Sequence, residues 1–358
     1  MSRITQMAKD ENIWALGHPK DIGGGGMPFM DYVYINEVIG RSAYANVGLG
    51  TVSLQDSIML REFASEHWRE KYLQPLVRGE IFPSFGMTEP EVASSDPTQL
   101  QTTAVLDKGV WKINGRKWFT TGASRAAYTT VMCKTELDAS NHGAFSMIIV
   151  PTNNPGYKII RETPVLGING GHYEVEYNNV EVPEENLLGP RGQGFLIAQK
   201  RLGPGRIHHC MRTIGVMERA LEFMIKRSEE RVAFGKKIST LGANYDYIAE
   251  SRIDIETSRL LTLNASHMMD TVGNKVARSE IAQIKVHVPI VACRLIDRAI
   301  QMHGGGGVSQ DFPLASMHAH MRTLRLADGP DEVHRRVIAR EELSKYADQS
   351  EETIVTRD

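Results

Sequence analysis

QTTAVLDKGVWKINGRKWFTTG, residues 101–122, decides how the rest of the chain is read. Its apolar period shortens towards two, and it reads as two strands joined at Asp107-Lys108-Gly109. Downstream, AYTTVMCKTE (127–136), AFSMIIVPT (144–152), YKIIRE (157–162) and HYEVEYNNVEV (172–182) continue the strand pattern. Upstream, in YVYINEVIGRSAYANVGLG (32–50) and REFASEHWREKYLQPLVRG (61–79), apolar residues recur at helical spacing. Helix returns after GPRGQGF (189–195). MRTIGVMERALEFMIKRSEERVAF (211–234) sets Ile214, Met217, Leu221 and Met224 on one face. DYIAESRIDIETSRLLTLNASHMMDTV (246–272) and SEIAQIKVHVPIVACRLIDRAIQMHGG (279–305) are further long helices, the second interrupted at Pro289. The chain is therefore mainly α with a central β domain, in the order helices (1–80), a small antiparallel β block (81–190) and a helical bundle (191–358).

Composition narrows the function classes. A formal net charge of −2 offers no electrostatic case for nucleic acid or an anionic membrane. No apolar run is long enough to span a bilayer, and MSRITQMAKDENIW lacks the apolar centre of a signal peptide. The three cysteines, Cys133, Cys210 and Cys293, lie too far apart for a disulfide framework or a CxxC metal site. They fit a reducing compartment, the cytoplasm of a bacterium or the mitochondrial matrix of a eukaryote.

Familiar catalytic signatures are missing: there is no HExxH, GxSxG or P-loop. The Gly304–Gly307 run follows a helix rather than a strand, so a dinucleotide fingerprint fits poorly and a helix stop fits better. His208, His209 and Cys210 are neighbours on a helix, point in different directions and make a poor metal site. FPSFGMTEPEVASSD (82–96) carries hydroxyl side chains and small residues that let backbone N–H groups approach an anion or a ring edge, or it is a polar interdomain loop. In WKINGRKWFTTG (111–122), aromatics and hydroxyls at a strand end suit stacking and hydrogen bonding to a flat ring, or form a half-buried strand pair. Near the end of a long helix, Arg231 could neutralise a diphosphate, with Phe234 beyond it, although such charge runs are usually solvated helix faces. In LADGPDEVHRR (326–336), Asp328 stands before Gly-Pro with Asp331 and Glu332 following. That segment alone reads as a helix cap and a dipole-favoured first turn, with Pro330 in the first turn of VHRRVIAREEL.

FGMTEPEVASSD, NGRKWFTTG, LLGPRGQGF, RVAFGKKI, QMHGGGGV and ADGPDEVHRRVIAR, in this order and over nearly the whole chain, resemble the acyl-CoA dehydrogenase family. Within it the chain is most similar to the branch of family members 10 and 11. The resemblance implies an α-helical N-terminal domain, a β-barrel-like middle domain and a C-terminal four-helix bundle. It also implies FAD between the middle and C-terminal domains, an acyl-CoA substrate, an electron-transfer flavoprotein as acceptor and usually a homotetramer, with a homodimer as the other assembly. It implies roughly another helix ahead of ITQMAKDENIWAL, so the first domain reads as shortened.

Carried over by position, the resemblance lays Phe85 to Ser95 along the flavin, including Met87, Thr88 and Ser94. Thr88 would meet the pyrimidine side of the ring, and Ser95 the diphosphate or the acyl-CoA. Phe119 stands where the family usually has a Trp; beside Thr120, Thr121 is where a hydroxyl meets flavin N5. Arg231 and Phe234, then Gln301 to Gly305 with Gly304 and Gly305 among them, match segments that reach the FAD of a neighbouring subunit. Gly203, Gly205 and Arg206 match a segment touching the substrate near its thioester, where a glycine at 205 leaves the alternative base position empty. Asp328 aligns with the catalytic glutamate, Gly329 with the glycine after it, and Pro330, Asp331 and Glu332 with residues that approach the cofactor again.

The expected reaction is removal of the α-proton by Asp328 as the β-hydrogen leaves as hydride to flavin N5, giving a 2-enoyl-CoA. The Asp328 backbone N–H and, by resemblance, a flavin ribityl hydroxyl would support the thioester oxygen. Aspartate is one methylene shorter than glutamate, so the backbone must approach by roughly 1 Å more. An aspartate base also resembles nitroalkane oxidase, and an acyl-CoA oxidase or a scaffold that kept the fold without the chemistry are the other readings. No metal is expected.

Overall fold

In the computed structural model, which describes residues 3–139 and 142–347, the β block forms eight strands. Residues 1–2, 140–141 and 348–358, which include the outer ends of the expected first and last domains, lie outside the described residues. The strands are β1 (Pro83–Gly86), β2 (Thr103–Asp107), β3 (Val110–Lys117), β4 (Tyr128–Lys134), β5 (Phe145–Pro151), β6 (Tyr157–Glu162), β7 (Tyr173–Pro183) and β8 (Leu187–Leu188). They pair in the order β6-β7-β3-β2-β4-β5-β8, with β1 parallel to β4. The expected turn joins β2 to β3: Asp107 pairs with Val110, while Lys108 and Gly109 take positive φ of 50° and 78°. That twist matches the twist of the flanking strands.

β4 and β5 depart from strict alternation, because both are buried at every position but the last. One face packs Trp111, Ile113, Val131, Ile148 and Tyr177 into the sheet's own core. The other meets a helical cluster in which Trp68, Tyr72, Leu73 and Leu76 surround Tyr128, Met132 and Phe145. A strand covered on both faces reads as a continuous apolar run.

The helices of eight residues or more are α1 (Arg3–Asp10), α2 (Phe29–Gly40), α3 (Leu54–Phe63), α4 (Gly194–Glu230), α5 (Asn244–Val272), α6 (Arg278–His303), α7 (Leu314–Leu324) and α8 (Asp331–Ala347). Among the described residues no helix is long and apolar enough to cross a membrane. Contacts divide the chain into two compact units: Met1–Pro28 with Tyr44–Leu202, and Phe29–Ala43 with Gly203–Asp358. The sheet lies in the first unit, and α2, α5 to α8 and most of α4 lie in the second.

Pro289 does not interrupt α6, contrary to expectation; the helix runs through it. The missing N–H removes one backbone bond, and burial of Val288, Val291 and Ala292 around the proline holds both halves in line. Gly304, at φ 60°, does stop α6.

In the second unit α2 lies against α4 through two glycines. A Cβ on Gly215 would collide with the Glu37 carbonyl oxygen, and one on Gly40 with the Arg212 carbonyl oxygen. Glu37 also clamps Arg259 of α5 through paired bonds of 2.9 and 2.8 Å. We expect Gly215→Ala to lower stability by about 1–3 kcal/mol through overpacking, read as a lower urea midpoint.

Candidate active site

In the first unit, the loop after β1 is fastened to the end of β3 by a buried ion pair. Lys117, fully buried, donates to Glu89 Oε1 at 2.8 Å and to the Met87 carbonyl at 3.0 Å. The Glu89 carboxylate also accepts from the Gln101 and Thr102 N–H groups at 2.6 and 2.9 Å. Burial opposes its ionisation, yet Lys117 and these bonds outweigh burial and hold the carboxyl below its usual range. The Trp118 N–H bonds the Thr88 carbonyl at 2.7 Å.

This anchoring sets where the expected flavin residues stand. Phe119 is forced to φ 54° and remains 39% exposed. Thr121 is exposed, and its hydroxyl lies 2.8 Å from His172 Nδ1. Thr120 is fully buried, and its hydroxyl has no hydrogen-bond partner. Phe85 is stacked under Arg201 at 4.3 Å. The Ser94 hydroxyl is engaged within its own loop, accepting the Glu89 N–H at 2.9 Å, whereas Ser95 is exposed.

In the second unit, the segment between α7 and α8 is tied at several points. Lys285, 2% exposed, donates to the Leu324 carbonyl at 2.6 Å and the Ala327 carbonyl at 2.8 Å. The Asp328 carbonyl accepts from Arg206 Nε at 3.1 Å and lies 3.2 Å from His334 Nε2. Asp328 itself adopts φ 57° and Gly329 φ 103°. A side chain at 329 would be strained there and would stand 2.9 Å from His334 Nε2.

α8 begins at Asp331, three residues beyond Asp328, and the Pro330 carbonyl accepts the first-turn N–H groups of Val333 and His334. Asp328 therefore does not occupy the cap position, and Pro330 stands just ahead of the helix rather than inside its first turn. Asp331 is buried, with Oδ2 held by Arg325 at 2.8 Å, while Glu332 is exposed. Gly203 and Gly205 are buried in α4, and Gly203 packs against Asn274.

Burial and neighbouring charge suppress protonation around this loop. His334 is pulled down to about 4 by burial first, then by Arg206 and Lys285. His208 falls to about 3 through burial, then Arg212 and His209. Burial also pulls Lys285 below its ordinary value, with Cys210 and Asp328 pushing back.

Farther along the second unit, Arg231, Gln301 and Gly304 come together around a cavity of about 410 Å³, with Arg227, Asn244 and Tyr247 beside them. Phe234 stands apart at the turn between β9 (Val232–Ala233) and β10 (Lys236–Lys237), 96% exposed. Sequence reasoning missed Glu89, Lys117, Lys285 and His334, and weighed His209 only as a poor metal ligand. A lysine at an inward position of the alternating strand β3 was the one signal that marked Lys117. The others depend on distant partners and leave no local pattern.

Models of the N-terminal, middle and C-terminal domains of acyl-CoA dehydrogenase match residues 2–80, 84–180 and 192–343. The chain belongs to the acyl-CoA dehydrogenase family. It is 45% identical to acyl-CoA dehydrogenase family member 11 of Rattus norvegicus over 358 residues, which cover 98% of this chain and 46% of that protein. The chain thus spans about half the length of that relative. A solved structure from Mycobacterium abscessus, ascribed to the acyl-CoA dehydrogenases, superposes with a TM-score of 0.93 at 43% identity, covering 96% of this chain and 86% of that one. The FAD complex of PigA gives a TM-score of 0.84 at 25% identity, covering 94% and 89%.

Two outcomes follow. Lys117→Met strands a buried carboxylate and should cost about 3–5 kcal/mol, with Glu89→Gln in the same chain recovering part of the loss in urea unfolding. His208 and His334 are neutral when folded, with pKa near 3 and 4, but titrate at the ordinary 6.5 when unfolded. Stability is therefore fully present above about pH 6.5 and is lost as pH falls towards 4. Tm measured across that window should fall, and His334→Gln should flatten the slope.

Proposed function

We propose that the chain catalyses FAD-dependent α,β-dehydrogenation of an acyl-CoA thioester to a trans-2-enoyl-CoA, with Asp328 as the base. The conformation of Asp328 carries this reading. Its backbone sits in a left-handed region that side chains disfavour, held there by Arg206 and His334 at its carbonyl, while its carboxylate stays 23% exposed. A residue needed only to begin α8 has no use for such strain.

The residues present fit FAD. In the proposed assembly, the cavity lined by Arg227, Arg231, Asn244, Tyr247 and Gln301 offers cations for the diphosphate of a neighbouring subunit's FAD, and an aromatic and amides for its base. In the first unit, exposed Phe119 and Thr121 suit a flat ring with a hydrogen-bonding edge. The FAD complex of the structurally similar PigA is consistent with this assignment. When bound, FAD supplies the acceptor for the β-hydrogen as hydride.

The chain's own part is the proton. Asp328 takes the α-proton onto its carboxylate, and the negative charge passes to the thioester oxygen, supported by the Asp328 backbone N–H. Arg206, half buried on α4, lies within reach of the same loop and fixes its carbonyl. An electron-transfer flavoprotein is the proposed acceptor and a homotetramer the proposed assembly. The three free cysteines, none exposed, are compatible with a reducing compartment.

An aspartate where the family usually carries glutamate favours, as a second reading, an oxidase acting on the same fold. Asp328→Asn should lower anaerobic flavin reduction by acyl-CoA by about a hundredfold or more while the protein stays yellow. Retention of most of that reduction would remove Asp328 from the base role. Rapid oxygen consumption without an electron-transfer flavoprotein would favour the oxidase.

A further inference from the structure

Next to Asp328 lies a side chain that the proton-transfer scheme does not use. His209, on α4, places Nε2 3.5 Å from Asp328 Oδ2, with its side chain 37% exposed and that of Asp328 23% exposed. Its other nitrogen, Nδ1, lies 3.1 Å from Arg212 NH2. A guanidinium has only donors, so Nδ1 must accept, and in a neutral imidazole the proton is then on Nε2. The N–H therefore faces the Asp328 carboxylate.

Arg212 is itself fixed. Its NH1 donates to Asn36 Oδ1 at 3.0 Å, and Asn36 Nδ2 donates to the Tyr32 carbonyl at 2.8 Å and to His208 Nδ1 at 3.2 Å. The close glycine contact between α2 and α4 keeps Asn36 in reach of Arg212.

Resting on the reading of Asp328 as the base, we propose that His209 is its positioning residue: an imidazole locked by Arg212 as an Nε2–H donor that holds the carboxylate in one orientation and favours its ionised form. With Nδ1 engaged, His209 cannot take the proton from Asp328 unless Arg212 lets go. It orients the base and does not relay the proton. The charged and titratable groups facing the pair are Arg206, His208, Cys210 and Arg212 on α4, Lys285 on α6 and His334 on α8.

A donor to the charged carboxylate lowers its pKa, so removing the donor raises it, and a base must be deprotonated to act. In FAD-loaded His209→Leu, the acid limb of the kcat/KM profile for anaerobic flavin reduction should move up by about half a pH unit or more. His209→Gln, which keeps an N–H, should return it towards wild type. A second readout is independent of turnover: C2-hydrogen exchange of His209, followed by mass spectrometry, should show a lower midpoint in Asp328→Asn, because the carboxylate that favours imidazolium is gone.

Superimposable pH profiles for wild type and His209→Leu would overturn the proposal, as would a His209 exchange midpoint indifferent to Asp328→Asn. If Asp328→Asn keeps reducing flavin, the base assignment fails and the catalytic part of this proposal fails with it. The exchange midpoint then reports separately whether the two side chains are coupled.

Discussion

A buried lysine governs the loop that carries Asp328. Lys285 places its ammonium among the carbonyls at the end of α7 and of Ala327, where the helix would otherwise leave acceptors unsatisfied. Burying an ammonium is unfavourable unless its donors are matched, and here carbonyls rather than a carboxylate do most of the matching. The loop cannot loosen without exposing that charge to an apolar interior. Rigidity at Asp328 is thus a consequence of where a cation was put, one helix away.

The same loop concentrates positive charge. Arg206, Arg212 and Lys285 surround Asp328, and Arg325 is matched by Asp331. Burial first, and this charge after it, keeps the histidines here neutral, so His208 and His334 act as fixed hydrogen-bonding groups at ordinary pH. An aspartate there has a short side chain, several cationic neighbours and an imidazole N–H directed at it.

In the first unit a different device does the equivalent task. The Lys117–Glu89 pair joins a strand end to the loop that follows β1, and the pair's remaining hydrogen-bonding capacity goes to backbone N–H and carbonyl groups. Such a pair contributes little net stability over an apolar substitute, but breaking it on one side is costly, so it specifies one arrangement of the loop.

Local pattern was enough for the element types. Alternation in residues 101–122 and helical spacing on both sides carried the order of helices, sheet and helices, because side-chain periodicity is a property of neighbours in the chain. The motif resemblance pointed to Asp328, Arg231, Gln301 and Gly304 by position, and the last three do meet around one cavity. Pro289 misled, since a proline's local penalty was outweighed by packing that the sequence does not display. Most of what surrounds Asp328 could not be read: the resemblance placed Arg206 near the substrate, but the contacts of His209, His334 and Lys285 come from separate segments, brought together only when α4, α6 and α8 pack. Sequence determines which groups are available and how each element repeats. Tertiary structure decided which of them touch a carboxylate, and through burial and charge, in what protonation state they do so.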